Sequence, residues 1–259
     1  MSSIDQALAT FEPISLEGAN DIAELQTRVD RKYLVDESTL LELLDALAPT
    51  VRVLEVDGRH ECDYSSTYFD TEEFALYRAA VQGRRHRFKI RSRTYGDTGP
   101  CFLEVKAKGG RGGSVKSRVS CARNDHDGIT GDGFDFVTGL IGDAQLAAAL
   151  RPVLTTDYTR STLIDWSDRT RLTFDRHLRC TDTRNMSAVL EAVVVETKST
   201  GAPSAADRWL WRHRVRPTKV SKFCTGLAVI RPELPANKWH RVIDRHWQQA
   251  ARDPTCSAR

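Results

Sequence analysis

The chain has 259 residues, with 38 Lys and Arg against 35 Asp and Glu, a formal charge of +3, and 40% hydrophobic residues. That length can bury a core without disulfide or metal staples, and that balance excludes a largely disordered chain. The charge is too small to point to nucleic acid, and no stretch approaches the roughly 18 apolar residues of a membrane helix. The opening residues, MSSIDQALATFEP, lack a basic segment followed by an apolar run. No secretory signal is read there, and the cytoplasm is the expected location. Cys62, Cys101, Cys121, Cys180, Cys224 and Cys256 form no C-x-x-C pair and match no zinc spacing, so free thiols are expected. No internal repeat and no long linker interrupts the chain, which reads as a single domain with its core over about 24–230.

In chain order, a strand is predicted over 24–35 and a helix over 37–48, capped by Asp36 or Ser38 and ended by Pro49. Strands at 51–57 and 61–69 follow, then a short helix over 71–80 with Asp70 or Thr71 as its cap. A strand at 84–95 precedes the pair 101–108 and 114–121, joined by the glycines of 109–113 as a hairpin loop. A phosphate-cradling loop is the sharper reading of those glycines, but they lack the G-x-x-x-x-G-K-[ST] spacing. A helical segment spans 132–150, and strands follow at 153–165, 169–176 and 188–198. Helices are predicted at 203–213, 222–230 and 238–251, with frayed residues from Asp253 onward.

Charge alternates along several of these strands. In Arg87-Phe88-Lys89-Ile90-Arg91-Ser92-Arg93 every odd residue is basic, so the cations share one strand face. Glu104, Lys106 and Lys108 share a face of the next strand, and Lys116 and Arg118 of the one after. Arg169, Arg171, Thr173 and Asp175 do the same further on, as do Glu196 and Lys198, and near the start Arg28, Asp30 and Lys32. One such strand is ordinarily explained by a solvated face. Repetition over several strands asks for a common explanation. The expectation is an α+β fold: an eight-stranded antiparallel β-barrel tunnel with a polar cationic interior and helices packed outside. Closure would also remove exposed sheet edges. Cations facing one another repel by roughly 4 kcal/mol at 4 Å and an effective dielectric near 20, so such an interior calls for a polyanion, with Arg and Lys as its phosphate partners.

The residues resemble a VTC domain, the polyphosphate-polymerase module of the triphosphate tunnel metalloenzyme superfamily. The motifs are Arg31-Lys32-Tyr33, Tyr68-Phe69-Asp70, Arg91-Ser92-Arg93-Thr94-Tyr95-Gly96, Phe102-Leu103-Glu104-Val105-Lys106 and Ser114-Val115-Lys116-Ser117-Arg118. They continue through Asp157-Tyr158-Thr159-Arg160, Arg171-Leu172-Thr173-Phe174-Asp175, Val195-Glu196-Thr197-Lys198 and Ser221-Lys222-Phe223. The resemblance implies a tunnel that binds triphosphate or polyphosphate with a divalent metal, Mn²⁺ or Mg²⁺. It implies Lys32, Arg91, Arg93, Lys106, Lys116, Arg160, Arg171, Lys198 and Lys222 as the catalytic phosphate-binding set. Tyr158 and Ser221 would donate hydroxyl hydrogen bonds to phosphate, and Arg87, Lys89 and Arg118 would extend the cationic wall. Glu196 would be the metal ligand, because carboxylate oxygens suit a hard cation, with Glu104 and Asp175 open between metal contact and salt bridge.

The implied chemistry is phosphoryl transfer from ATP or another triphosphate, by positioning and charge stabilisation rather than a nucleophilic side chain. The seven histidines are scattered and read as structural or surface groups. Many tunnel enzymes carry E-x-E-x-K on the first strand, whereas this chain has Arg28-Val29-Asp30-Arg31-Lys32. Fewer acids favour the polymerase branch over hydrolases. A triphosphate hydrolase and a non-catalytic polyphosphate-binding module stay open beside the polymerase. No nucleic-acid partner is expected, and a separate membrane partner stays open.

Overall fold

Alternating side chains become strands almost wherever the pattern predicts them. The computed structural model describes residues 2–22, 29–96, 99–108, 114–123, 127–248 and 250–252. Its elements are α1 (Ser3–Leu8), β1 (Pro13–Ile14), α2 (Leu16–Ile22), β2 (Val29–Val35), α3 (Glu37–Leu47), β3 (Val51–Leu54), β4 (Cys62–Asp70), α4 (Ala75–Gln82), β5 (Phe88–Tyr95), β6 (Cys101–Lys108) and β7 (Ser114–Cys121). Then come α5 (Asp132–Ile141), α6 (Ala144–Ala149), β8 (Arg151–Asp165), β9 (Thr170–Asp182), β10 (Met186–Val189), β11 (Val193–Ser199), α7 (Ala205–Arg212), α8 (Lys222–Ile230), α9 (His240–His246) and β12 (Ala251–Arg252). The predicted hairpin loop at 109–113, the first residues of the predicted 24–35 strand and the frayed end lie outside the described residues.

Differences from the predicted elements have local causes. The 132–150 segment is two helices, because Gly142 turns left-handed at φ 71° and Asp143 caps a fresh helix by accepting from the Leu146 amide. The 188–198 strand divides into β10 and β11. The 238–251 helix shrinks to a 3₁₀ turn at Asn237–Trp239, then α9, then β12. The N-terminal α1 was missed although its capping box, Ser2 with Asp5, was readable.

The chain divides into two compact units, one of residues 1–62, 158–178 and 190–219, the other of 63–157, 179–189 and 220–259. The long strands β8 and β9 contribute to both.

In the first unit, β11 lies between β2 and β9, and β3 pairs with both β8 and β1. Glu196 stands opposite Lys32 on one side and Thr173 on the other, and Lys198 opposite Asp30 and Arg171. The alternate residues Tyr33, Val35, Leu172, Phe174, Val193 and Val195 form a core with the leucines of α3 and with Leu210 of α7. Asp207, fully buried, accepts there from Tyr33 Oη and Thr197 Oγ1, both at 2.6 Å, and from Arg31 at 3.3 Å. Burial and the neighbouring Asp207 carboxylate push the Tyr33 phenol up. At the other side of β2, the Thr218 amide donates to the Lys32 carbonyl at 2.7 Å.

In the second unit the strands run β12-β10-β9-β8-β4-β5-β6-β7. Phe69, Ile90, Leu103 and Val105 pack under Leu76, Val137 and Ala147 of the helices. The Asp70 carboxylate accepts from the Thr71, Leu76 and Tyr77 amides at 2.8 Å each and so anchors the turn into α4.

All twelve strands belong to one sheet, antiparallel apart from the β1–β3 pair among the pairings described. Among the described residues that sheet is open, so the fold is a mixed α/β arrangement with a large sheet and not the closed eight-stranded barrel expected above. The strand pattern could not decide this. A sheet covered by helices on one face produces the same alternation whether or not its edges meet.

Candidate functional site

The antiparallel register of β4 to β7 turns alternation into rows. Lys89, Lys106 and Lys116 fall in one row across three strands. Tyr68, Arg91, Glu104 and Arg118 form the next, and Ser66, Arg93, Phe102 and Ser120 the one after. Like charges directly opposite each other destabilise a sheet. Here the one acid in the array works hard against that. Glu104 accepts from Arg91 Nη2 at 2.6 Å with one carboxylate oxygen and from Lys116 Nζ at 2.9 Å with the other. Burial would raise this carboxyl, but Arg91, Arg93 and Lys116 outweigh it and hold it at about 2.

Arg93 is buried, donates to Ser66 Oγ at 3.0 Å and lies over the Tyr64 ring. Arg118 lies over the Phe102 ring at 4.6 Å. Tyr68, quoted in a motif but given no role by the sequence, accepts from Arg91 and stacks on Phe223 at 4.9 Å. Burial pushes its phenol up, yet Arg91, Arg93 and Lys89 together bring it below its ordinary value. The period-two pattern of Tyr64, Ser66 and Tyr68 was the signal that would have found it.

The α8 start meets this face. Ser221 caps α8 by accepting from the Cys224 amide, and it also accepts from Lys89 Nζ at 2.8 Å. Its neighbour Lys222 opens the helix. Beside them is a cavity of about 190 Å³ lined by Arg87, Lys89, Lys106 and Lys108 with Phe88 and Ser114. Arg87 itself folds back onto the carbonyls of Gly83 and Arg84 after α4.

The first unit carries its own charged face. Lys32 and Lys198 each lie 3.6 Å from Glu196. Arg160 grips Asp175 with two bonds, at 2.5 and 2.9 Å, and stacks over the Tyr158 ring. Arg171 reaches the Ala19 carbonyl and Asn20 of α2.

Among the described residues, no group of three or more His, Cys, Asp or Glu is placed to hold a metal. The three candidate carboxylates differ. Glu104 and Asp175 sit in short ion pairs, while the lysine contacts of Glu196 are long. One carboxylate with substrate oxygens and water completing the shell is how Mg²⁺ is commonly held beside phosphates. Glu196 fits that role.

A family model described as VTC domain matches residues 27–231. No curated protein matches the chain. Among solved structures, a Hippeastrum protein described as a putative adenylyl cyclase with a dominant triphosphatase activity is 18% identical, with a TM-score of 0.52 over 81% of this chain and 98% of that one. A putative adenylate cyclase from Vibrio parahaemolyticus is 13% identical, with a TM-score of 0.39 over 73% of this chain and 84% of that one. A Pyrococcus horikoshii protein is 12% identical, with a TM-score of 0.44 over 76% and 94%.

Proposed function

Because the chain belongs to the VTC domain family, we propose that it is a metal-dependent polyphosphate polymerase moving the terminal phosphate of ATP onto a growing polyphosphate chain. The observation that carries this reading is the row of Lys89, Lys106 and Lys116 in register across three strands. Such a row is unfavourable without an anion and favourable around a phosphate chain. A cytoplasmic location belongs to the same proposal. No helix among the described residues is long and apolar enough to cross a membrane.

Arg91, Arg93, Lys106 and Lys116 would bind phosphate oxygens of the substrate, with Glu104 fixing the Arg91 and Lys116 heads in place. Lys32, Lys198 and Arg160 would do so on the first unit's face, where Asp175 orients Arg160. Lys222 and the Ser221 hydroxyl would add contacts beside Lys89. Arg171 would join them by releasing its contact with α2. A divalent cation, Mn²⁺ or Mg²⁺, held by Glu196 would neutralise phosphate charge as the bond to the leaving group breaks. These side chains hold charge and line up donor and acceptor, and none of them forms a covalent intermediate.

Hydrolysis of a triphosphate is the second reading, favoured by the triphosphatase activity in the description of the Hippeastrum protein, whose likeness to this chain is one of fold. The experiment is incubation of the purified chain with ATP and Mn²⁺, resolving products on a polyacrylamide gel stained for polyphosphate. A ladder of long chains that disappears in Glu196→Gln supports the polymerase. Phosphate without a ladder replaces it with the hydrolase. Tight tripolyphosphate binding with no turnover replaces both with a binding module.

A further inference from the structure

Cys101 and Cys121 are far from any cysteine motif in the sequence, yet register pairs them directly across β6 and β7. Neither is in a disulfide in this structure. Cys101 is buried, and Cys121 is partly exposed at the last position of β7. We propose that these two residues are a reversible dithiol–disulfide modification site.

The backbone bonds fix the geometry. The Lys108 amide donates to the Arg87 carbonyl, and the Tyr95 amide to the Pro100 carbonyl. These bonds commit the even-numbered residues of β6 to β5, so the odd-numbered ones, Cys101 included, bond to β7. Opposed residues of that kind have Cα atoms about 5.5 Å apart, inside the 4.4–6.8 Å a disulfide requires. Their Cβ atoms, about 5.5 Å apart, must approach to about 4 Å. The site can yield that much. Among the described residues β7 pairs only with β6, and the pair sits at the first residue of one strand and the last of the other. The strain left over makes the bond easy to reduce, which is the property of a disulfide that cycles.

The oxidant is a small soluble disulfide such as oxidised glutathione. The partly exposed Cys121 thiolate attacks one of its sulfurs, forming a mixed disulfide and releasing one glutathione thiolate. The Cys101 thiolate then attacks Cys121 Sγ and expels the second. Two cysteine thiols lose two protons and two electrons, and one oxidised glutathione becomes two reduced ones. The product ties edge strand β7 to β6 on the side facing away from the lysine row.

The test treats the full chain with oxidised glutathione, caps remaining thiols by alkylation and maps peptides by mass. The expected product links the Cys101 and Cys121 peptides, with the mass of both less two hydrogens, and dithiothreitol reverses it. The link persists in Cys62→Ser and is absent in Cys121→Ser. Amide exchange across residues 114–121 slows severalfold in the oxidised protein. A stable glutathione adduct on Cys121 with Cys101 still alkylatable overturns the proposal. So does a link that requires Cys62, or Cys101 and Cys121 both remaining fully alkylatable.

Discussion

Glu104 and Glu196 are both carboxylates set between two cations on charged strand faces, and they are held quite differently. Glu104 is 2% exposed and spends each oxygen on a short bond to Arg91 or Lys116. Glu196 lies 3.6 Å from both Lys32 and Lys198. The first arrangement fixes cations in place. The second holds its carboxylate in longer contacts with the two lysines. Two acids on cationic strand faces can therefore be held very differently, and distance separates the two.

The comparison breaks first at Glu104→Gln. Its folded value of about 2 lies below the ordinary 4.5. Its contribution is thus complete above about pH 4.5 and lost as pH falls toward 2. The linked stability is on the order of 3 kcal/mol. Chemical denaturation at pH 7 should show a loss of that order in the variant, and wild type and variant should converge in acid. Glu196→Gln under the same conditions should cost less stability than Glu104→Gln, because its lysine contacts are longer, while abolishing metal-dependent turnover. Equal losses of stability would erase the distinction.

Tripolyphosphate sharpens the same contrast. At 100 times its dissociation constant, a ligand of the folded state adds about 2.7 kcal/mol. At one fixed tripolyphosphate concentration the rise in melting temperature should be larger in Glu104→Gln, whose Arg91 and Lys116 lack their acid, than in wild type. A melting temperature indifferent to tripolyphosphate would count against a phosphate-binding face altogether. Next in size, Lys32→Ala or Arg93→Ala should weaken tripolyphosphate roughly tenfold or more, about 1.4 kcal/mol for each factor of ten, by calorimetric titration. The exposed Arg151→Ala should leave it unchanged. Smallest is Arg208→Ala, which breaks an exposed pair with Asp168 and should cost at most about 0.5 kcal/mol.

Much of this was legible because a strand has a period of two. The face shared by Lys89, Arg91 and Arg93, and that shared by Glu196 and Lys198, follow from spacing alone. Register does not. Nothing in the sequence says that Lys106 stands between Lys89 and Lys116, or that Cys101 faces Cys121. Long-range polar partners were equally hidden. Asp207 reads as an ordinary helix residue, yet it gathers Tyr33, Thr197 and Arg31 from strands far away in sequence. Arg171 kept its place in the alternation but was drawn to Asn20 by a helix that composition did not announce. Closure of the sheet was overread for a related reason, since side-chain alternation carries no information about what an edge strand meets.

The bond from the Thr218 amide to the Lys32 carbonyl bears on how the molecule behaves in a crowd. Among the described residues β2 pairs as a strand only with β11, so its other side is a sheet edge. The stretch that reaches it, Arg214-Val215-Arg216-Pro217-Thr218-Lys219, combines three positive charges with a proline that has no amide to donate. Such a strap occupies one acceptor and repels further strands from the rest. Colloidal solubility at high concentration, as much as ligand binding, is therefore written into these residues.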